Sequence, residues 1–156
     1  MSASAAQRLS KVEIDQATVS AATPEIEHDR QVAAWDLVEQ NSFAPTGAGD
    51  GPFVLRLAFE DNRLVLEVTG PDYGRRHMLS LNPLAKVMKD YLMICDSYSE
   101  AVRNATPSHI EAIDMGRRGL HNEGSDILRE RLAGKIELDH ETARRLFTLI
   151  CAISRR

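Results

Sequence analysis

The sequence predicts an α+β fold, in which a short antiparallel sheet of three or four strands packs against about four or five helices, with a helical C-terminal half. Two observations predict it. Between residues 53 and 81, apolar residues alternate with a partial period of two, which is typical of β-strands. From residue 83 onward they recur at i, i+3, i+4 and i+7, which indicates amphipathic helices covering one face of the sheet.

The composition is that of one ordinary domain with a single core, because the 156 residues are 43% apolar and 27% charged. We therefore predict a single domain over residues 1–156, with residues 1–7 disordered and residues 44–51 forming a flexible loop. A net charge of −4 argues against a protein that mainly binds nucleic acid or an anionic membrane. Nucleic acid is therefore an unlikely partner.

Nothing in the sequence indicates export or membrane insertion. The start, MSASAAQRLSK, lacks the apolar segment of a signal peptide, and no apolar run approaches the roughly 18 residues that span a bilayer. We therefore expect a cytoplasmic protein without membrane contact. Cys95 and Cys151 lie in apolar helical runs without CxxC spacing, so we predict buried free thiols rather than a disulfide or metal ligands.

The first helix is predicted after a weak strand pattern in RLSKVEIDQ. Thr23 followed by Pro24 is a helix start signal. The main apolar arc of this helix leaves Val32 and Trp35 pointing elsewhere. Either the helix buries a second face against the sheet, or Val32 and Trp35 form an interface with a second copy of the chain or a protein partner. Tryptophan is enriched at such interfaces.

The central strands follow a loop rich in glycine and proline. FVLRLAF (53–59) and RLVLEV (63–68) are separated by a polar EDN turn and predict a hairpin. RRHMLSL (75–81) adds a third antiparallel strand, which makes a short meander.

Three further start signals predict the C-terminal helices: Asn82 with Pro83, Thr106 with Pro107, and Asp139. An unbroken apolar stripe over residues 84–102 predicts that the first of these is the core helix. In the second, Gly124 lies between leucines on the packing face, which indicates a point where another element crosses closely. On the last, Arg144 and Arg145 are expected to face outward.

The stretch GRRGLHNEG predicts an anion-binding corner at residues 116–123. Gly116 and Gly119 favour a tight kink between two helices. Free N–H groups and the dipole at the start of the following helix would favour an anion. The residues assigned to this site are Arg117 and Arg118 as charge partners, the backbone of Gly119, and His121 and Asn122 as hydrogen-bond donors to a phosphate or carboxylate.

Two alternatives compete with that site. Asp114 and Glu123 could neutralise the arginines within the chain. His121 and Glu123 could instead act as acid and base of an enzyme on an anionic substrate, but only if the backbone kinks, since they diverge by about 200° on a regular helix. HExxH, GxSxG, Walker and Rossmann motifs are absent from the sequence. We therefore expect neither cofactor nor metal.

Four stretches carry a resemblance to a known family: ATPSHIEAIDMGRRGLHNEGSDILRERLAGKIELD, then ETARRLFTLIC after it, and TPEIEHDR and DNRLVLEV before it. In these stretches the sequence resembles uncharacterised protein family 0262. The resemblance covers nearly the whole chain, except for the first few residues and the 44–51 loop. It implies a compact, stand-alone bacterial cytoplasmic protein and lends no activity or catalytic residue. We therefore favour a non-enzymatic binding or interaction module, with an enzyme as the alternative.

Overall fold

The computed structural model describes residues 7–19 and 21–155, and it confirms the α+β class. Within these ranges, none of the helices combines the length and apolar content needed to cross a bilayer. The elements in chain order are β1 (Leu9–Ile14), α1 (Pro24–Glu39), β2 (Phe43–Pro45), β3 (Phe53–Glu60), β4 (Arg63–Gly70), β5 (Tyr73–Ser80), α2 (Asn82–Asn104), α3 (Pro107–Leu132), β6 (Ile136–Leu138) and α4 (His140–Ser154).

The main sheet is mixed, with strand order β1-β3-β4-β5. The meander β3-β4-β5 is antiparallel, as predicted. The expectation of a wholly antiparallel sheet is wrong for β1, which pairs parallel to β3, with Val12 opposite Leu55 and Ile14 opposite Leu57. A parallel pair requires a long crossover connection. That connection contains α1, which helps to return the chain to the end of the sheet at which β1 begins.

The predicted 44–51 loop is partly a strand. Ala44 and Pro45 belong to β2, which pairs antiparallel with β6 in a second, two-stranded sheet. Of the residues predicted to be disordered, 1–6 lie outside the described ranges. Gln7 is described, and its carbonyl accepts a hydrogen bond from the Phe43 amide at 2.9 Å. Neither short strand has enough residues for a periodic pattern to reveal it.

The core centres on α4 rather than on α2. Eight of the fifteen residues of α4 are buried, so this helix packs on all but one narrow face. In contrast, four of the five buried residues of α2 lie in its first half, and Val102 in the predicted stripe is 55% exposed. Helix α2 packs mainly against α3, and Ile94 in its second half lies against Gly116 of α3. An apolar stripe that pairs with one neighbouring helix looks the same in sequence as one that faces the core.

Three of the four predicted caps are confirmed. The side-chain oxygens of Thr23, Thr106 and Asp139 each accept a hydrogen bond from the amide three residues further on, at 3.2, 3.3 and 2.8 Å. Asn82 differs, because it is the first residue of α2 and its Oδ1 accepts from Asn62 Nδ2 at 2.9 Å instead.

Arg30 is a fully buried cation, at 1% exposure, which the sequence did not predict. Its Nε donates to the carbonyl of Ala152 at 3.1 Å, and its Nη2 donates to those of Ile153 and Arg155 at 3.3 and 3.0 Å. These carbonyls lie at the C-terminal end of α4, where the regular helical hydrogen bonds run out. That of Ala152 also accepts a longer hydrogen bond from the Arg155 amide, at 3.4 Å. Arg30 therefore caps α4 and holds α1 against it.

Candidate functional site

The predicted kink at residues 116–119 is wrong, because α3 runs unbroken from Pro107 to Leu132. A Cβ on Gly116 would lie 2.8 Å from Ile94 Cδ1, so this glycine permits close approach of α2. Around Gly119, an added Cβ would meet no described atom within 4 Å beyond its chain neighbours and the backbone of its own helix. Glycine within a helix costs about 1 kcal/mol, which the packing of a 26-residue helix outweighs. The amide of Gly119 lies within the helical hydrogen-bond ladder, so it cannot serve as a free donor.

The side chains of Arg117 and Arg118 nevertheless line a cleft of about 530 Å³ between α3 and α4, which we call the arginine cleft. Arginines from α4 reach the same space. The cleft is lined by Tyr91, Arg117, Arg118, His121, Glu141, Arg144, Arg145 and Thr148.

The contribution of α4 is a regular stripe. Glu141, Arg144, Arg145 and Thr148 stand at i, i+3, i+4 and i+7, so they share one face of the helix. Arg144 and Arg145 face away from the core, as predicted, but they face the cleft rather than open solvent, and both are only half-exposed. The i, i+3, i+4 and i+7 spacing of these polar residues was the signal in the sequence that one face of α4 lines a site.

Asp114 holds the two arginines of α3. Its Oδ1 lies 2.5 Å from Arg117 Nη2, and its Oδ2 lies 2.9 Å from Arg118 Nη2. The hydrogen bond from Arg117 is the main reason why the pKa of Asp114 lies below its usual range. The guanidinium of Arg117 also stacks on Tyr98, with Cζ 4.8 Å from the ring centroid. One carboxylate shared by two guanidinium groups leaves them with a net positive charge.

The other predicted neutralising and donor groups lie outside the cleft. Glu123 is exposed and, within residues 7–19 and 21–155, forms no ion pair with Arg117 or Arg118. Asn122 does not line the cleft, but its Oδ1 accepts a hydrogen bond from Arg144 Nη1. Asn122 thereby orients Arg144, and its role as a ligand donor stays a prediction. For Arg145, the described part of the chain supplies no ion-pair or hydrogen-bond partner.

His121 is buried in the cleft wall, at 8% exposure. Its Nε2 lies 2.7 Å from Thr148 Oγ1, and this hydroxyl donates to the carbonyl of Arg144 at 3.0 Å. Because the single hydroxyl proton is engaged there, Nε2 must be the donor to Thr148. Nδ1 is then an acceptor, and it finds no partner among the described residues. The ring packs against Tyr91 and Phe147, with centroids 5.3 and 5.4 Å apart.

The electrostatics of the cleft keep His121 neutral. Its pKa is lowered to about 4, mainly by burial and also by the charges of Arg144 and Arg117, against a smaller opposing effect of Glu141. On the continuous α3, Glu123 points about 200° away from His121. The acid–base pair of the enzyme alternative is therefore not assembled.

The predicted close crossing at Gly124 is confirmed. A Cβ there would lie 2.2 Å from Cζ of Phe147, so the aromatic ring of α4 fills the space above the glycine. The partner is a side chain, whereas close approach of another backbone is the usual reason for such a glycine. This contact fixes the separation of α3 and α4 next to the arginine cleft.

Val32 and Trp35 are exposed, at 43% and 63%, so the expectation that α1 buries a second face is wrong. They also line different grooves. Val32 faces a groove formed by α1, α2 and α4, whereas Trp35 faces one formed by α1 and β1. Their exposure is what an interface requires, and the interface itself stays a prediction.

Both thiols are free, as predicted. Cys151 is buried at 2% exposure, as predicted, whereas the prediction of a buried thiol is wrong for Cys95, which is only half-buried. Burial raises the pKa of each thiol. Neither sulfur is therefore activated as a thiolate at neutral pH.

Comparison with known proteins identifies the family. The model of an uncharacterised protein family, UPF0262, matches residues 6–156. A UPF0262 protein of Phenylobacterium zucineum is 58% identical over 146 residues, which cover 94% of this chain and 92% of the relative. One from Caulobacter vibrioides is 55% identical over 97% of this chain and 95% of its own length, and one from Rhizobium etli is 55% identical over 94% of each. The solved structures include no match. The chain therefore belongs to the bacterial family UPF0262, in agreement with the resemblance of its sequence.

Proposed function

We propose that this protein is a binding module that holds a small oxyanion, a phosphate or a carboxylate, in the arginine cleft. One observation carries the proposal: four arginine side chains from two helices line a single cleft of about 530 Å³. Cavities of roughly 300–1,000 Å³ are the usual size for small-molecule sites. In a chain of net charge −4, this concentration of positive charge is local.

The charges of the cleft are only partly compensated within the chain. Glu141 is the carboxylate in the lining, and Asp114 lies behind Arg117 and Arg118. Guanidinium groups held close together repel one another, and an oxyanion between them removes that repulsion. Each guanidinium also presents parallel N–H donors that match the oxygens of a phosphate or carboxylate.

The four arginines differ in how they are held. Asp114 and Tyr98 fix Arg117, and Asn122 orients Arg144. Positioned donors lose little freedom on binding, which favours affinity. Arg118, which is more exposed, and Arg145 are the side chains with most freedom to close on a ligand.

A free ligand fits the cleft better than a carboxylate on a protein partner, because a recessed site excludes a flat protein surface. Self-association through Val32 and Trp35 is a separate proposal, supported by their exposure. Light scattering of the wild type and Trp35→Ala tests it, and a monomeric wild type would reject it. A cytoplasmic location stays a prediction from the sequence, to be checked by cell fractionation.

Isothermal titration of the purified protein with inorganic phosphate, ethyl phosphate and acetate tests the anion site. We expect saturable binding of at least one of these, weakened about tenfold or more in Arg145→Gln, since a hydrogen bond to a charged group contributes about 1.5–3 kcal/mol. Arg118→Gln should also weaken it. Both variants leave Asp114 paired with Arg117.

Arg131→Gln is the matched control, because Arg131 is an exposed arginine of α3 that does not line the cleft. Its affinity should equal that of the wild type. The anion site is rejected if the wild type shows no binding. It is also rejected if Arg131→Gln weakens binding as much as Arg145→Gln does.

A further inference from the structure

A second cleft adjoins the arginine cleft and shares two wall residues with it, Tyr91 and Thr148. We call it the apolar groove. It has a volume of about 430 Å³ and lies where α1, α2 and α4 meet. Since the same two side chains line both spaces, one molecule of modest length can occupy both.

The groove has an apolar floor and a polar rim. Ile26, Ala33 and Cys151 are buried in the floor, and Leu92 is half-buried beside them. Val32, at 43% exposure, leaves apolar surface open at the edge. Exposed apolar surface of this kind is stabilised by an apolar ligand that displaces water from it.

The shared wall offers little to a second charged group. Burial raises the pKa of Tyr91, so its hydroxyl stays protonated. The hydroxyl of Thr148 is engaged with His121 and with the carbonyl of Arg144. Between the arginines and the groove, a ligand therefore meets an aromatic ring and a satisfied hydroxyl, which suit a carbon chain or ring.

We propose, resting on the anion site above, that the ligand is amphipathic: an oxyanion head binds in the arginine cleft and an apolar body binds in the apolar groove. The occupant is a free molecule rather than a lipid within a bilayer. Asp29 and Asp36 stand on the exposed rim of the groove, where their carboxylates would repel an anionic membrane surface. The net charge of −4 has the same effect.

Titration calorimetry with ethyl phosphate, n-hexyl phosphate and 1-hexanol tests this inference on the full-length protein. A buried methylene strengthens binding by up to about fourfold. We therefore expect hexyl phosphate to bind about tenfold or more tightly than ethyl phosphate. Hexanol, which lacks the head group, should bind far more weakly than hexyl phosphate. Arg145→Gln should weaken both phosphates by a similar factor.

Two variants and a neighbouring control test whether the tighter binding of hexyl phosphate depends on the apolar groove. Val32→Gln and Leu92→Gln should reduce the preference for hexyl over ethyl phosphate about threefold or more, with ethyl phosphate binding unchanged. Val32 is exposed, so its variant does not depend on the core tolerating a polar residue. Met93→Gln should keep the full preference, because Met93 is 59% exposed and lines neither cleft.

The measurements distinguish failure of the anion site from failure of the apolar groove. If neither phosphate binds, the anion site itself fails and this inference fails with it. Equal affinities for ethyl and hexyl phosphate would leave the anion site intact and overturn the claim that the apolar groove binds the apolar body of the ligand. Hexanol binding as tightly as hexyl phosphate would also overturn the amphipathic ligand. Flotation of the protein with vesicles of anionic phospholipid, abolished in Val32→Gln, would overturn the claim of a free ligand.

Discussion

Nε2 of His121 donates a hydrogen bond to Oγ1 of Thr148 over 2.7 Å and thereby joins α3 to α4 in the wall of the arginine cleft. The Thr148 hydroxyl in turn donates a hydrogen bond to the carbonyl of Arg144 at 3.0 Å. This chain of donors requires a proton on Nε2 of His121. Nδ1 is buried and has no partner among the described residues, so adding a proton there would bury a charged N–H without an acceptor. Protonation of His121 is therefore coupled to the stability of the helix pair that forms the cleft.

The free energy of unfolding should fall as the pH drops through the window between about 6.5 and about 4. Burial is the main reason why the pKa of His121 is lowered from 6.5 to about 4. In that window the unfolded chain binds a proton that the folded chain does not. The stabilisation is complete above the unfolded value and declines below it, by on the order of 3 kcal/mol at about 1.4 kcal/mol per pKa unit. Urea unfolding across the window measures this slope.

His121→Gln keeps an amide that can donate to Thr148 but does not titrate, so its stability should vary less with pH. Some slope should remain, since burial also lowers the pKa of His77. An undiminished slope in His121→Gln would contradict the assignment.

Gly124→Ala should destabilise the protein by about 1–3 kcal/mol, because the added Cβ would meet the Phe147 ring at 2.2 Å. Gly119→Ala, on the same helix, should stabilise it by about 0.5–1 kcal/mol, since the site is open and alanine favours the helix. Thermal or urea denaturation compares the two variants. If both variants stabilised the protein, the close packing of Phe147 against Gly124 would be contradicted.

Arg30→Met should cost about 2–4 kcal/mol, because it removes the donors that three carbonyls at the end of α4 share. Methionine retains much of the apolar length, so the loss reports mainly on the hydrogen bonds. Arg131→Met is the control for an exposed arginine and should change stability by no more than about 0.5 kcal/mol. A small, similar effect of both substitutions would show that the cap contributes little.

The two thiols should react at different rates with a thiol reagent. Cys95 is half-buried and should react first, whereas Cys151, at 2% exposure, should react on the timescale of unfolding. Denaturation without reductant should release two equivalents. Cys95→Ser assigns the faster phase, and fewer than two equivalents would indicate a disulfide.

Features set by local chemistry could be predicted from the sequence. Thr23, Thr106 and Asp139 act within one helical turn, so their cap signals needed no knowledge of the fold. The meander depends on adjacent strands and a short turn. The parallel pairing of β1 depends on where α1 packs, which no local pattern records.

The sequence predicted that Arg117 and Arg118 share one site, which stays a prediction, but the backbone geometry predicted for that site is wrong. Gly116 and Gly119 suggested a turn, but tertiary packing overrode their low helix propensity. Arg144 and Arg145 were missed because a helix that is mostly buried still has one polar face, and its direction depends on the docking of α4 against α3. Only that docking turns two separate polar helix faces into one cleft.

The most direct test of the arginine cleft is a phosphate titration followed by the side-chain Nε–Hε signals in ¹H–¹⁵N NMR spectra of the wild-type protein. We expect the signals of Arg117, Arg118, Arg144 and Arg145 to shift together and saturate with one dissociation constant, while that of Arg131 stays unchanged. Signals of the four cleft arginines that do not saturate, or that shift no more than that of Arg131, would contradict an anion site.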